Sequence, residues 1–445
     1  MLKVLYRILW YIAAPLVVLR LLIRARHDRG YIEHISERFG YTASYTACND
    51  LPLIWIHAVS LGETQAAQPL VKVLLDEYPS SRVLLTHMTP SGRALSQQLF
   101  GTRVLRCYLP YDMSGPVRRF LRAWRPALGI VMETEVWPTL IDECRNAGVP
   151  LVLTNARMSE RSYYRALRLG AAMRQVFSGF TRVLAQSPSD ARRLSTLGAS
   201  NVVVVGNMKF DTEATPELVQ RGQAWHIAIG HRPVWIAGST CEGEEDLILN
   251  AYHQLGITDA LLMIVPRHPW RFNKVAALVK RSGFKLARRS EWASTSLCEA
   301  TTIKPLPDDI QVLLGDSMGE MRAYYTSADV AFIGGSLLPF GGHNLIEACA
   351  VGVPIVIGPY TFNFAQASID AVTSGAALRV QDSATLAKAV RIVLTDRTRC
   401  VEMGAAGSAF AARHRGAVLR TVNALKMLLP ARKLRPISER LDLVS

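Results

Sequence analysis

Apolar positions along this chain fall into two patterns. The first is a single run, Ile8 to Leu19, twelve residues without a charge. Lys3 and Arg7 precede it; Arg20, Arg24, Arg26 and Arg29 follow it. A membrane-crossing helix takes about 20 apolar residues, and Met1 to Ile23 reaches that length if the flanking cations snorkel. No small-residue cleavage site follows, so residues 1–29 are expected to stay as a membrane anchor, spanning or interfacial. The heavier positive charge after the run keeps the rest of the chain on the cytoplasmic side.

The second pattern is a rhythm of short apolar runs and helically spaced segments. Strands are expected at Ile54–Val59, Arg82–His87, Leu128–Met132, Pro150–Thr154, Val183–Gln186 and Asn201–Val205, with helices such as Glu63–Glu77 and Trp137–Ala147 between them. This is the βαβ alternation of a parallel sheet covered on both faces. The rhythm breaks over residues 211–231 and resumes with strands at Val234–Ala237, Leu261–Val265, Val312–Leu314, Val330–Ile333 and Pro354–Ile357. The expected organisation is an anchor (1–29), a Rossmann-like domain (30–210), a linker (211–231), a second Rossmann-like domain (232–428) and a polar tail (429–445). Two such α/β domains put two sets of strand C-terminal ends across one cleft, and ligands of open parallel sheets bind at those ends.

Composition narrows the chemistry. The net charge is +15 over 445 residues, which suits acidic substrates or an anionic membrane surface. The cations are dispersed and no zinc-finger, RNP or basic-zipper pattern occurs, so nucleic acid is not expected. Seven widely spaced cysteines without a CxxC fit a reducing compartment and no disulfide framework. Neither HExxH nor HxxxH is present, and no metal site is expected.

The candidate residues lie directly after expected strands. In "HAVSLGE", Ser60 and Glu63 have capping-box spacing; the same carboxylate, at a helix start beside a cleft, can accept a proton, its ionised form favoured by the helix dipole. In "VMETEVWP", Glu133 and Glu135 leave a strand two residues apart, a solvated loop or a paired acidic site on one side of an extended segment. Lys209 in "GNMKFD" is a linker cation or an anion contact. Arg267 stands between Pro266 and Pro269 in a stiff loop. Met318, Gly319 and Glu320 open a helical pattern, where free amides bind anions. "GGSLLPFGGHNLIEA" carries four glycines that permit close backbone approach to a phosphate, then Asn344 and Glu347, the latter suited to ribose hydroxyls.

These motifs, with "NARMSERS", the "ST.EGEE" pattern at Ser239–Glu245 and "VPRHPWRF", resemble in order and spacing the Kdo transferases of lipopolysaccharide assembly, from the N-terminus to about residue 400. Kdo is 3-deoxy-D-manno-octulosonic acid, an acidic eight-carbon sugar. The resemblance implies a two-domain GT-B fold on the cytoplasmic side of the inner membrane, with CMP-Kdo as donor and a lipid A precursor, lipid IVA, as acceptor. By matched position it implies Glu63 as general base, Glu133 and Lys209 as transition-state stabilisers, and Pro266, Arg267, Met318, Gly319, Glu320, Asn344, Leu345, Ile346 and Glu347 as CMP contacts. The family usually carries proline where this chain has Leu345. No cofactor or metal is expected, and inner-membrane lipids are expected partners. The rival readings are another GT-B nucleotide-sugar transferase or epimerase, and a basic non-catalytic module binding anionic lipid or nucleic acid.

Overall fold

The computed structural model describes residues 2–26, 28–42, 51–211, 216–292 and 303–430. The chain divides into two units: Met1–Thr212 with Arg415–Ser445, and Glu213–His414.

The first unit is built on β1 (Leu53–His57), β2 (Arg82–His87), β3 (Leu105–Tyr108), β4 (Leu128–Met132), β5 (Leu151–Ala156), β6 (Arg182–Ala185) and β7 (Val202–Val204). The sheet is parallel, in the order β3-β2-β1-β4-β5-β6-β7. Strands β1 and β4 are buried along their whole length, as near-continuous apolar runs at a sheet centre should be. The second unit repeats the design with β8 (Val234–Thr240), β9 (Leu261–Pro266), β10 (Leu286–Arg288), β11 (Val312–Leu314), β12 (Val330–Ile333), β13 (Ile355–Ile357) and β14 (Ala377–Arg379), ordered β10-β11-β9-β8-β12-β13-β14 and all parallel. The fold class is the expected one.

Two expected boundaries need correction. Residues 211–231 are not an open linker: helix Pro216–Ile229 packs into the second unit. A Cβ on Gly222 would stand 2.5 Å from the Ala323 carbonyl, and the Trp225 ring lies 5.0 Å from Tyr324. The second domain also does not run to 428. The chain rejoins the first unit at Arg415, and helix Ala417–Leu425 buries Val418, Val422 and Leu425 in the core that holds Leu70, Leu74 and Ile130. Asp211 fastens this return by accepting the N–H groups of Gly416 at 2.6 Å and Val418 at 2.5 Å. Residues 431–445 of the expected tail lie outside the described residues.

Helix Leu2–Ala25 belongs to the first unit. Trp10, Ala14, Val17 and Leu21, at helical spacing, pack with Tyr111 and Met113. Trp10 stacks on Tyr111 at 5.8 Å, the Tyr6 hydroxyl donates to Asp112 at 2.8 Å, and Arg7 pairs with Asp142 at 3.2 Å. The other face exposes Leu5, Ile8, Leu9, Ile12, Leu16 and Leu19. By length and composition this helix can cross a membrane, but its stripe of contacts runs along the first unit.

Asp112 also sets the start of helix Pro138–Asn146. Its carboxylate, fully buried, accepts the N–H groups of Thr139 at 3.0 Å and Leu140 at 2.7 Å, satisfying donors that the helix leaves open. Burial still holds its pKa above the usual range. Asp112→Ala leaves those amides unpaired, and we expect a loss of about 2–4 kcal/mol in denaturant unfolding; a loss below about 1 kcal/mol would show that the carboxylate does not organise this helix.

Candidate functional site

In each sheet the chain winds outward from a first strand, then returns to that strand's other side. Neighbouring loops diverge at that switch point and leave a crevice at the strand C-termini. In the first unit the switch lies between β1 and β4, and the loops leaving it are Ala58–Ser60 and Glu133–Trp137.

Glu63 sits on the first turn of helix Leu61–Glu77, and no capping box forms. Ser60 makes no side-chain cap, and Glu63 Oε2 accepts from the Val59 N–H at 2.7 Å, four residues back. The carboxylate thereby closes the loop that leaves β1. Burial drives its pKa up to about 8; the Val59 amide opposes this, Glu135 and Glu133 add to it, and Lys209 partly offsets it. The helix start favours the ionised form, but desolvation acts more strongly against it, the condition under which this carboxylate becomes a stronger base.

Glu133 does not extend the strand beside Glu135. It turns at φ 58°, a left-handed conformation that is uncommon for a residue with a Cβ. Its N–H still bonds the Thr154 carbonyl at 2.9 Å, and its Oε1 meets Lys209 Nζ at 2.7 Å. Glu135 points to Trp137, whose indole N–H donates to it at 2.7 Å; burial raises its pKa, against that bond. Lys209 is held in a 3-10 turn, where Asn207 Oδ1 accepts its amide at 3.0 Å. Asn155 supports the same turn: at φ 50° it accepts the Met208 N–H at 3.1 Å. Sequence reasoning named Glu63, Glu133 and Lys209, and the fold brings them together around Glu63. It gave no role to Asn155 or Trp137; both lie in motifs already quoted, but only the tertiary contact shows what they hold.

Beneath this loop, His57 and His87 are fully buried, and burial pushes their pKa values down to about 3 and about 4, so both are neutral. His57 Nδ1 lies 3.1 Å from the Thr86 carbonyl and 2.9 Å from the Thr86 hydroxyl.

In the second unit the switch lies between β8 and β12. Glu244 closes it. This fully buried carboxylate accepts the N–H groups of Cys241 at 2.9 Å, Gly335 at 2.6 Å and Leu337 at 3.0 Å, tying the loop after β8 to the glycine loop after β12. Gly334 permits the approach, since a Cβ there would stand 2.5 Å from the Ser239 carbonyl. Next to it Glu245 grips Arg271 in two bonds, 2.6 and 2.8 Å, a geometry that fixes direction as well as distance. This pair anchors the loop that carries Pro266 and Arg267. Sequence reasoning assigned roles to none of Glu244, Glu245 and Arg271.

Arg267 is exposed, with its amide bound to the Thr240 carbonyl at 3.0 Å. Asn344 Oδ1 accepts the Ile346 N–H at 3.0 Å and its Nδ2 donates to Glu347 at 3.2 Å. Burial raises the Glu347 pKa, opposed by Arg322, Asn344 and Arg267. His343 is pushed down to about 4 by burial and by Arg267 and His268. Leu345 and Ile346 are buried, and the Ile346 amide is taken by Asn344, so neither side chain is offered to a ligand. Glu320 departs most from expectation: its carboxylate is held by Arg221 at 2.5 Å, Arg289 at 2.6 Å and the Ser317 hydroxyl. It fixes the loop, while Met318 is exposed and Gly319 turns at φ 80° with open space at its Cβ position.

Residues 33–212 match the model of the 3-deoxy-D-manno-octulosonic-acid transferase (kdotransferase) family, and residues 293–410 that of glycosyl transferases group 1. A 3-deoxy-D-manno-octulosonic acid transferase of Bordetella pertussis is 42% identical over 93% of this chain and 96% of its own length. The chain belongs to the Kdo transferase family. The Haemophilus influenzae 3-deoxy-D-manno-octulosonic acid transferase is 35% identical over 95% of this chain and 98% of its own. Among solved structures, a UDP-GlcNAc 2-epimerase of Neisseria meningitidis aligns with a TM-score of 0.58 over 84% of this chain and all of its own, at 13% identity. That likeness shows the GT-B fold alone. The Kdo transferase chain is thus a glycosyltransferase with two Rossmann-like units.

The raised pKa of Glu63 makes a stability prediction for this family member. The folded value, about 8, lies above the ordinary 4.5. Keeping Glu63 protonated in the folded state therefore costs stability as pH rises above 4.5, where the unfolded carboxyl ionises, and the loss is complete once pH passes about 8. Glu63→Gln keeps an acceptor for the Val59 amide and never ionises. Relative to its offset at about pH 4, its melting temperature should gain on the parent as pH rises from 4.5 to about 8 and hold that gain above; a gap that shrinks over this range would contradict the desolvated carboxylate.

Proposed function

We propose that this enzyme transfers Kdo from CMP-Kdo to the lipid A precursor lipid IVA by direct displacement with inversion, Glu63 acting as general base. The observation that carries the reading is Glu63 itself: a desolvated carboxylate at the switch point, its pKa raised to about 8, beside the Lys209–Glu133 pair. A carboxylate with an ordinary pKa is a weak base; raising it toward the working pH increases its proton affinity without emptying the ionised form. The acceptor hydroxyl gives its proton to Glu63 as its oxygen bonds the anomeric carbon and the CMP phosphate departs.

The departing phosphate and the Kdo carboxylate are both anionic. On this reading each unit offers positive charge in its own crevice, Lys209 in the first and Arg267 with the Gly319 loop in the second; no metal is invoked. Glu347 takes ribose hydroxyls, while Pro266 and Met318 offer apolar surface to the base. Glu320 acts indirectly, through the two arginines that hold its loop.

We further infer that the enzyme works on the cytoplasmic face of the inner membrane. Helix Leu2–Ala25 supports this with one apolar face exposed and the other packed along the first unit, an arrangement suited to lying in the interface. Arg20, Arg24, Arg26 and Arg29 suit an anionic leaflet.

Glu63→Gln should retain CMP binding and lose turnover by about 100-fold or more, the scale for a general base. At subsaturating substrates the parent rate should climb with pH and level off above about 8, because only the ionised form accepts the proton. A Gln variant with more than about a tenth of parental turnover would end the base assignment.

The nucleotide half has its own test. Glu347→Ala should weaken CMP by about 1–3 kcal/mol in calorimetry, and CMP, not UMP, should compete with donor. Unchanged CMP affinity would remove Glu347 from the site, and equal competition by UMP would point to a different sugar nucleotide.

A further inference from the structure

The second unit holds a histidine that neither the loop-holding contacts nor the nucleotide contacts named above employ. His343 ends the glycine loop that leaves β12, directly before Asn344. The loop is closed at its neck by the Gly342 N–H, which donates to the Gly335 carbonyl at 2.7 Å. The imidazole lies across the switch point. Its Nε2 stands 3.4 Å from Cys241 Sγ, on the loop after β8, and 2.9 Å from the place a Cβ on Gly335 would take. Gly335, at φ 70°, is therefore the residue that makes room for the ring.

The two ring nitrogens meet different surroundings. Nε2 faces Cys241, while Nδ1 bonds no group among the described residues and is not sealed in the interior, so it opens to solvent. The imidazole is neutral, since burial, Arg267 and His268 all disfavour its charge. Burial, and next Glu244, push the Cys241 thiol up to about 11 and keep it protonated. In a neutral imidazole one nitrogen carries the proton and the other accepts, and the bond made by one decides the state of the other. A thiol sulfur is a weak acceptor, so the Cys241 S–H donates to Nε2 and the ring proton sits on Nδ1. The result is an uncharged N–H donor held at the switch point.

We propose that His343 is a further donor-binding residue, its Nδ1–H contacting the phosphate of the bound sugar nucleotide, with Cys241 as the positioning residue that fixes its tautomer. This rests on the nucleotide reading given above. Phosphates lie against glycine loops at strand C-terminal ends because the backbone can approach them closely there, and His343 is built into that loop. A neutral N–H adds a directional bond to the phosphate without setting a second positive charge against Arg267, whose charge already acts on the ring.

Two measurements on the full chain in neutral detergent test this. In protein carrying 15N-labelled histidine at neutral pH, the resonances lost in His343→Asn should report a protonated Nδ1 and a bare Nε2, and Cys241→Ala should shift that balance toward Nε2–H. A parent ring protonated at Nε2 overturns the proposal, whichever nucleotide the protein binds. Calorimetry with CMP and with cytidine then reads the phosphate contact. An asparagine amide N–H stands close to the place of Nδ1, whereas that of glutamine falls nearer Nε2. His343→Gln should therefore weaken CMP about tenfold or more and leave cytidine unchanged, while His343→Asn recovers most of the CMP affinity. A general loss of packing would instead fall on both variants and both ligands. Equal CMP affinity in the parent and the Gln variant, or a loss that CMP and cytidine share, overturns the contact. If the parent binds UMP in place of CMP, the donor reading fails, and the ratio of UMP to uridine affinity tests His343 in the same way.

Discussion

The rest of this structure depends on the handedness of parallel crossovers. A strand, a helix and the next parallel strand close in a right-handed sense, so a sheet grown both ways from its first strand must send two adjacent loops to opposite faces. β1 and β4 are such a pair, and so are β8 and β12. Each crevice exposes loop amides and side chains whose backbones are pinned by buried strands. Left-handed φ values occur at Glu133 directly after β4, at Asn155 near the end of the adjacent β5 and at Ser239 near the end of β8. Strain of that kind persists where the surrounding bonds over-determine it, and each of these residues sits at the end of a buried central strand.

The crevices then sort one residue type into distinct roles by the number of donors each carboxylate meets. Glu244 meets three backbone amides and Glu320 two guanidinium groups with a hydroxyl. Both are consumed in holding loops. Glu133 is matched by one lysine. Glu63 has one amide and two acidic neighbours, and Glu347 one amide side chain with two cations at a distance. The last two carry the largest mismatch between burial and bonding, which is the condition for a group that has unused capacity toward a substrate.

Much of this was legible in the sequence. Apolar runs such as "LGIVM" and "VLL" fixed central strands to within a residue, because strands buried on both faces leave no alternation to misread. The strands missed, β3, β10 and β14, are all sheet edges, short and part polar, as in "LAR" at Leu286–Arg288. Local pattern cannot mark such segments, since their pairing partner, not their own composition, makes them strands. The return of residues 415–430 to the first unit was invisible for a similar reason: Val418 and Val422 read as an ordinary amphipathic face, and only the Asp211 clamp tells which core it joins. Motif order identified the family and pointed to Glu63, Glu133 and Lys209 beside the first crevice, but not to Glu244, Glu245 and Arg271, which hold the second. It could not separate Glu320, which is locked, from Glu63, which is not, because spacing carries no information about donors supplied from elsewhere in the chain.

That separation also explains why Glu63 can stand at a helix start yet resist ionisation. The field of a helix end is worth about 0.3–1 kcal/mol for a surface group, whereas desolvation shifts buried groups by several pKa units. With Glu133 and Glu135 alongside, the local charge is already negative, and Lys209, the nearest positive group, is shared with Glu133. The ion pair therefore does two things in the resting protein: it makes Glu133 tolerable in its left-handed turn, and it withholds from Glu63 most of the charge that would ionise it. A carboxylate kept short of counter-charge in this way is destabilising to the fold and more basic for chemistry, and both consequences follow from the same desolvation.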